Sequence, residues 1–394
     1  MVPNGWEVKS PSKLFKLFSG FAFKSSDAKE SGAKWLKIAN VGIGEIKWDA
    51  DSFLPEHFLL EHKKYLLTKG DIVVALTRPT LGNKLKVARL TKDSDTSLLN
   101  QRVAKIVCKD NVDSEFTFQV LRSDQFAFRI NVGLLGTDPP NLSVKVLEDF
   151  TIPVPPLPEQ RKIAQILSTW DKAIATTEKL IDASKQQKKA LMQQLLTGKK
   201  RLLDPETGKA FEGEWEEVKL GDVCTPQQWA TISSKALLDE GYPVYGANGH
   251  IGFYSEFNHE YETVAVTCRG STCGEVSLIP EKSYITGNAM CLDNISPAKH
   301  SYIFVYYALC KRGFTDVISG SAQPQIVGKA IKNVKFIIPA LKEQQKIASV
   351  LTSADKDIQL LEVKLLHFKQ EKKALMQQLL TGKRRVKVPE TEAA

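Results

Sequence analysis

Apolar side chains recur at alternating four- and three-residue steps in two stretches of this chain. The first series is Ile163, Leu167, Trp170, Ile174, Thr177, Ile181, Ser184, Lys188, Leu191 and Leu195. The second is Ile347, Leu351, Ala354, Ile358, Leu361, Leu365, Phe368, Lys372, Leu375 and Leu379. Such spacing is the heptad seam of a coiled coil. It predicts two helices of about 40 residues, each a rod of about 60 Å. Thr177, Ser184 and Lys188 interrupt the first seam, and only Lys372 the second. Pro158 suits a first helical turn, and Glu159 and Glu343 suit the positive end of the helix dipole. Gly198 and Gly382 follow the last apolar residues as C-cap glycines. Lys199, Lys200 and Arg201, like Lys383, Arg384 and Arg385, complement the negative end.

The two stretches are copies. Leu157 to Arg201 returns at Leu341 to Arg385 at a constant offset of 184 residues, with about 26 of 45 positions identical. That period is too long for a solenoid. It marks two large units, each a variable domain followed by the same helix. Neither helix can bury its stripe alone, and because both carry the same stripe the simplest partner for one is the other, about a pseudo-two-fold axis, rather than a second chain. The expected fold is α+β: two mixed α/β domains joined by two long helices in an antiparallel intramolecular coiled coil. The expected boundaries are 1–156 for the first domain, 157–198 for its helix, 199–340 for a linker and the second domain, 341–382 for the second helix, and 383–394 for a basic then acidic tail that frays from Pro389.

Within the domains, WLKIANV (Trp35 to Val41), DIVVALT (Asp71 to Thr77), RVAKIVC (Arg102 to Cys108), TVAVTC (Thr263 to Cys268) and EVSLIP (Glu275 to Pro280) read as short strands. Glycine- and asparagine-rich turns such as YGANGHIG (Tyr245 to Gly252) separate them, and SYIFVYYALCKR (Ser301 to Arg312) reads as a helix. The domains open alike, with GWEVKSPSKL at Gly5 and GEWEEVKLGDV at Gly213. They also close alike, with FTIPVPPLPEQ at Phe150 and KFIIPALKEQ at Lys335. Little similarity is visible between those ends.

Composition narrows the class. At 394 residues, 42% hydrophobic and 25% charged, the chain has the make-up of an ordinary globular protein of two to three domains. Its formal charge of +9 favours a polyanionic partner, nucleic acid before membrane. No apolar run is long enough for a membrane span, and no signal peptide is visible, so a cytoplasmic location is expected. Cys108, Cys224, Cys268, Cys273, Cys291 and Cys310 form no C-x-x-C pair, and no histidine sits at ligand spacing from them. Reduced, partly buried thiols are expected rather than a metal site.

The order of these parts resembles the specificity subunit of Type I restriction–modification enzymes. The matching residues are LPEQRKIA (Leu157 to Ala164), LKEQQKIA (Leu341 to Ala348) and the twin KKALMQQLLTGK endings at Lys188 and Lys372. Inside the domains, WLKIANV, GDIVVA at Gly70, NQRVAKI at Asn100, PVYGANGHIGFY at Pro243 and GSAQPQI at Gly320 look like the family's target-recognition domains. The resemblance spans nearly the whole chain. It implies a DNA-binding subunit without a catalytic centre or cofactor. Each recognition domain would read one half of an asymmetric bipartite site in double-stranded DNA, and the helix pair would set the unread gap. Two methyltransferase subunits would dock on the framework, and motor-nuclease subunits would complete the complex.

Base-reading side chains are expected on glycine-rich loops, since Arg can read guanine and Asn or Gln adenine. The candidates are Arg78, Asn83, Lys84, Asn100, Gln101 and Arg102 in the first domain, and Asn248, His250, Arg269, Ser271, Asn288 and Gln323 in the second. For each, a solvated loop residue or turn former is the competing reading. Asp138-Pro139-Pro140-Asn141 resembles the D-P-P-aromatic motif of amino-methyltransferases, but Asn141 cannot stack on a flipped base, and no glycine-rich cofactor loop follows an earlier strand. A proline turn is expected there. Glu217-Val218-Lys219 lacks the paired upstream acid of a nuclease site, and no phosphate-binding G-x-x-x-x-G-K-[ST] loop exists. The alternatives are the specificity subunit of a methyltransferase-only or Type II-like system, a self-contained DNA methyltransferase, and a scaffold that does not read DNA.

Overall fold

The computed structural model describes residues 2–48, 52–136, 138–320 and 323–388. The chain forms two compact units, Met1–Thr177 with Lys364–Ala394, and Glu178–Val363. The acidic tail from Pro389 lies outside the described residues, as do Ser321 and Ala322 of GSAQPQI.

In the first unit, strand Glu7–Lys9 pairs antiparallel with Ile152–Val154, so the shared opening and closing segments meet. Between them stands an antiparallel sheet in the order Phe15–Ser19, Val103–Cys108, Ile72–Ala75, Val87–Arg89. A second sheet runs Phe53–Leu54, Ala33–Leu36, Ser97–Leu99, Leu66–Leu67, with Ala33–Leu36 and Ser97–Leu99 parallel. The WLKIANV strand ends at Leu36, because Ile38–Asn40 turns into a 3-10 helix in which the Asn40 carboxamide accepts the Lys37 amide and donates to Lys47 O.

The second unit repeats this plan with a different sequence. Strand Glu216–Lys219 pairs with Lys335–Ile338. Its main sheet has the order Thr225–Gln228, Ala289–Asp293, Thr263–Thr267, Val276–Ile279, again with the first strand beside the last. Its smaller sheet is Gly249–Tyr254, Tyr242–Gly246, Tyr284–Ile285, with one parallel pair as before. SYIFVYYALCKR forms the helix Tyr302–Arg312, capped by the Ser301 hydroxyl on the Phe304 amide.

The long helices run Leu157–Leu195 and Leu341–Leu379, and they pair antiparallel within each unit. In the first unit Glu159 meets Arg385 and Asp171 meets Lys372, so one residue number rises as the other falls. Trp170 packs edge-on against Phe368, with ring centres 5.6 Å apart. In the second unit Arg201 meets Glu343, Lys188 meets Asp355 and Lys185 meets Glu362. Seam residues Ile163, Leu167, Ile181, Leu195, Ile347, Leu351, Ile358 and Leu379 are buried. Gly198 and Gly382 adopt φ of 69° and 73°, the left-handed C-cap geometry.

The repeated Glu-Gln pair has a physical role. Glu343, only 1% exposed, takes the Arg201 guanidinium in bidentate fashion at 2.7 Å, and Glu159 takes Arg385 together with the Trp6 indole. Gln160 accepts the amide of Asp113, the cap of helix Ser114–Leu121, and donates to Pro155 O. Gln344 does the same with Ser301 and Pro339. The motif thus fastens each helix start both to the other helix's end and to the domain it leaves.

The two lysines that interrupt the seams form ion pairs, Lys188 with Asp355 and Lys372 with Asp171, while the Thr177 hydroxyl bonds Ala173 O of its own helix. Lys372 Nζ donates to Asp171 Oδ1 at 2.6 Å, and Arg122 and Gln119 donate to Asp171 Oδ2 at 2.9 and 2.8 Å. Burial raises the Asp171 pKa, but Arg122, Lys372 and the hydrogen bonds outweigh it and hold the carboxyl below the usual range. Burial and Arg122 push Lys372 below the usual lysine range, against the pull of Asp171. A carboxylate depressed on folding contributes stability above its unfolded pKa of about 3.9, and that contribution is lost as pH falls. Hydrogen exchange in residues 364–379 should therefore accelerate as pH is lowered from about 5 towards 2, beyond the intrinsic rate change. Asp171→Asn should flatten that dependence; an unchanged dependence would remove Asp171 as its cause.

Candidate nucleic-acid interface

Among the loop residues of the first unit, Arg78 and Arg102 line one cavity of about 580 Å³ with Ile38, Ala39, Thr77, Lys86, Pro139 and Asn141. Segments far apart in sequence build it. Arg78 follows strand Ile72–Ala75 with φ of 47°, held by the hydrogen bond its backbone N–H donates to Pro140 O. Arg102 sits in the turn before Val103–Cys108, and Lys86 precedes Val87–Arg89. Among the described residues, none of these three cations has a carboxylate partner, and no acidic side chain lines the cavity. Burial, then the Arg78 charge, holds the Lys86 ammonium below the usual lysine range. A bound anion would relieve that strain, so the cavity is chemically suited to a phosphate.

The other candidates of this unit divide. Gln101 is exposed beside Arg102. Asn100 is a turn former: its Oδ1 accepts the Arg102 amide and its own amide bonds Leu36 O. Asn83 lies exposed in the turn of the hairpin Thr80–Leu81 and Lys84–Leu85. Lys84 is ion-paired with Asp124; burial raises the Asp124 pKa, but the Lys84 bond and charge outweigh it and hold the carboxyl low. Lys84 is therefore less available to a ligand than the cavity cations. Asp138-Pro139-Pro140-Asn141 forms a braced turn, in which Asn141 accepts from the Thr77 hydroxyl at 2.7 Å and donates to Pro139 O. Glu217 is tied to Lys335 across its strand pair.

In the second unit, four loops knit together at one end of the main sheet. Ala247 O accepts the hydroxyls of Thr267 and Thr272, Cys268 N donates to Asn288 O, and Gly270 N donates to Pro324 O. Asn248 lies at the tip of a hairpin, exposed, with Oδ1 accepting from Thr272 at 3.3 Å. It borders a cavity of about 410 Å³ that also carries Glu275. Arg269 is exposed and bridged through its backbone to Gln325, with Gln323 two residues away and Ser271 exposed on the same loop. Asn288 is half-buried and contributes its backbone to the knot. His250 is exposed, edge-on to Tyr245 and Phe253.

Lys86 was invisible as a site residue in the sequence, where its alternation with Leu85 and Val87 reads as the solvent face of a strand. Linear spacing also hid a third group. His259, Cys291 and Asp293 come together in the second unit, although no histidine lies at ligand spacing from any cysteine. All six cysteines are free thiols and buried or half-buried.

Known proteins with this arrangement share its architecture. The family described as Type I restriction modification DNA specificity domain matches residues 3–185 and 212–367, one copy per half of the chain. The chain belongs to that family. It is 30% identical over 410 residues to a putative Type I restriction enzyme specificity subunit, MjaX, of Methanocaldococcus jannaschii, covering 98% of this chain and 95% of that protein. It is 39% identical over 202 residues to the MjaVIII specificity subunit of the same organism. That match covers 51% of this chain and 48% of the relative, so it spans about half of the relative's length. The crystal structure of a Type I restriction–modification S subunit from Mycoplasma genitalium has the same fold. Its TM-score is 0.66 at 19% identity, covering 96% of this chain and 98% of that one. Among the described residues no helix is long and apolar enough to cross a membrane.

Proposed function

We propose that this chain is the sequence-specific DNA-binding subunit of a Type I restriction–modification system. The observation that carries the reading is a duplicated framework bearing two domains of the same strand order but different loop chemistry. The first offers three cations around a cavity, none with a carboxylate partner among the described residues; the second offers Asn248, Arg269, Ser271 and Gln323 on knitted loops. Two dissimilar readers imply a target whose halves differ. Lys and Arg would supply phosphate affinity, and Asn, Gln and Arg the base readout.

In this reading the subunit carries no catalytic centre. Methylation and cleavage belong to partners: two methyltransferase subunits docked on the helices and domains, and motor-nuclease subunits joined to them. Helices of 39 residues each span about 58 Å, more than one 34–36 Å turn of B-DNA, so they suit a spacer between half-sites. Footprinting of the chain with its methyltransferase partner tests the reading: protection of a two-part sequence is expected, and protection without sequence preference would sink it. Deleting one turn from both helices should change the gap while leaving both half-sites unchanged, as mapped by methylation of a randomised library. Altered half-sites with an unaltered gap would contradict the spacer role.

A further inference from the structure

Three metal-ligating side chains from two segments converge beside the main sheet of the second unit. The ligand atoms of His259, Cys291 and Asp293 all lie within 4.8 Å of one another. Alternation along strand Ala289–Asp293 puts Cys291 and Asp293 on one face. Ala265, opposite Cys291 on the neighbouring strand, adds only a methyl group there. His259 arrives from the segment before strand Thr263–Thr267, where its backbone bridges Ser283.

The surrounding hydrogen bonds define what lies between these side chains. The Ile285 backbone orients the Asn258 amide: Nδ2 donates to Ile285 O at 3.0 Å, and Oδ1 accepts the Ile285 amide at 2.9 Å. Oδ1 is therefore the acceptor that His259 Nδ1 meets at 2.7 Å, so Nδ1 carries a proton. The other ring nitrogen, Nε2, stands 3.0 Å from Asp293 Oδ1, while Asp293 Oδ2 accepts the Trp229 indole N–H at 3.0 Å. A neutral ring protonated at Nδ1 would aim its Nε2 lone pair at a carboxylate oxygen. The gap requires a positive species, either a second proton or a metal ion.

Cys291 adds a third ligand atom. It is fully buried among Ala265, Ile279, Ile285 and Ala289, and imidazole, carboxylate and thiolate together form a zinc ligand set. Asn258 on Nδ1 and Trp229 on Oδ2 are outer hydrogen bonds of the kind that orient metal ligands. The His259 and Asp293 side chains are 9% and 15% exposed. They border a cavity of about 530 Å³ that also holds Glu260, Glu262 and Tyr302, leaving room for water at a fourth position.

We propose that His259 Nε2, Asp293 Oδ1 and Cys291 Sγ form a zinc-binding site that ties the segment before Thr263–Thr267 to the main sheet. With Zn–N and Zn–O lengths of about 2.0–2.2 Å and Zn–S of about 2.3 Å, the ligand atoms of a tetrahedral site stand about 3.3–3.6 Å apart, so three atoms that already lie within 4.8 Å of one another need only small shifts to hold an ion. Binding converts the thiol to a thiolate and releases its proton to solvent, with no change of oxidation state. The site uses none of the DNA candidates and stands independently of that reading.

The test uses the full chain stripped with a chelator and titrated with Zn²⁺, then with Co²⁺ as a coloured stand-in. One equivalent of Zn²⁺ should bind and raise the thermal midpoint, and Co²⁺ should give a thiolate charge-transfer band. Cys291→Ser should abolish the band, and Cys108→Ser should leave it. Asn258→Ala should weaken Zn²⁺ binding by about 10–100-fold. Absence of Zn²⁺ uptake, as expected for a simple imidazolium–Asp293 pair, would overturn the proposal. So would a Co²⁺ spectrum without thiolate absorption, a reading that needs no variant to fold.

Discussion

Asp171→Ala is expected to destabilise the first unit by about 3 kcal/mol, the low end of the cost of stripping one partner from a buried ion pair. The carboxylate is the common acceptor for Arg122, Lys372 and Gln119. Removing it leaves two cations facing each other, and the Lys372 side chain is only 8% exposed. The copy at Asp355 provides an internal control. There Lys188 and Tyr307 are the partners, but the Asp355 carboxylate is 39% exposed and Lys188 20%. Asp355→Ala should cost only about 1 kcal/mol, nearer the surface-pair range. Denaturant-dependent hydrogen exchange on the full chain measures both, because peptides from each unit report separately. Equal losses at the two sites would mean that burial does not set the cost. Replacing Asp171 and Lys372 together by Leu and Met should recover the share of the loss that comes from the stranded Lys372, while the share that comes from Arg122 and Gln119 remains.

Substituting Arg78, Lys86 and Arg102 together by alanine should weaken DNA binding by about 100-fold at physiological salt and reduce the salt slope by about 2.7. The figure follows from three phosphate contacts, each releasing close to one counterion. The effect should be the same on cognate and unrelated duplexes if all three residues touch phosphates. A loss confined to the cognate half-site would reassign Arg78 or Arg102 to base reading, which Arg performs on guanine. Lys84→Ala is the comparison, since its charge is already engaged by Asp124, and its effect should be smaller. Anisotropy titrations from 50 to 300 mM salt suffice. A triple variant with the parental slope would remove the cavity from the interface.

The legibility of these features follows the range of the interactions behind them. Helix periodicity is set by residues three and four apart, so the seams from Ile163 and Ile347 could be read directly, as could the cap glycines. The strands at Ile72, Val103 and Thr263 were legible for the same local reason. Pairing was not. Nothing between the shared ends suggested that Ile72–Ala75 and Thr263–Thr267 hold the same place in equivalent sheets, because backbone hydrogen bonds fix strand order while side chains vary freely around it.

The sequence by itself determined the duplication, the two long amphipathic helices, the family and the expectation of two unlike readers, all written in contiguous residues. Only the tertiary structure decided what the polar positions do. Lys372 reads as a flaw in a seam until Asp171 and Arg122 close on it. Lys86 is a strand residue until Arg78 and Arg102 meet it around a cavity, and His259 has no ligand spacing until the sheet carries Cys291 and Asp293 to it. A charge or a ligand atom acquires its role from groups within a few ångströms, and folding draws those groups from segments that the linear chain keeps far apart.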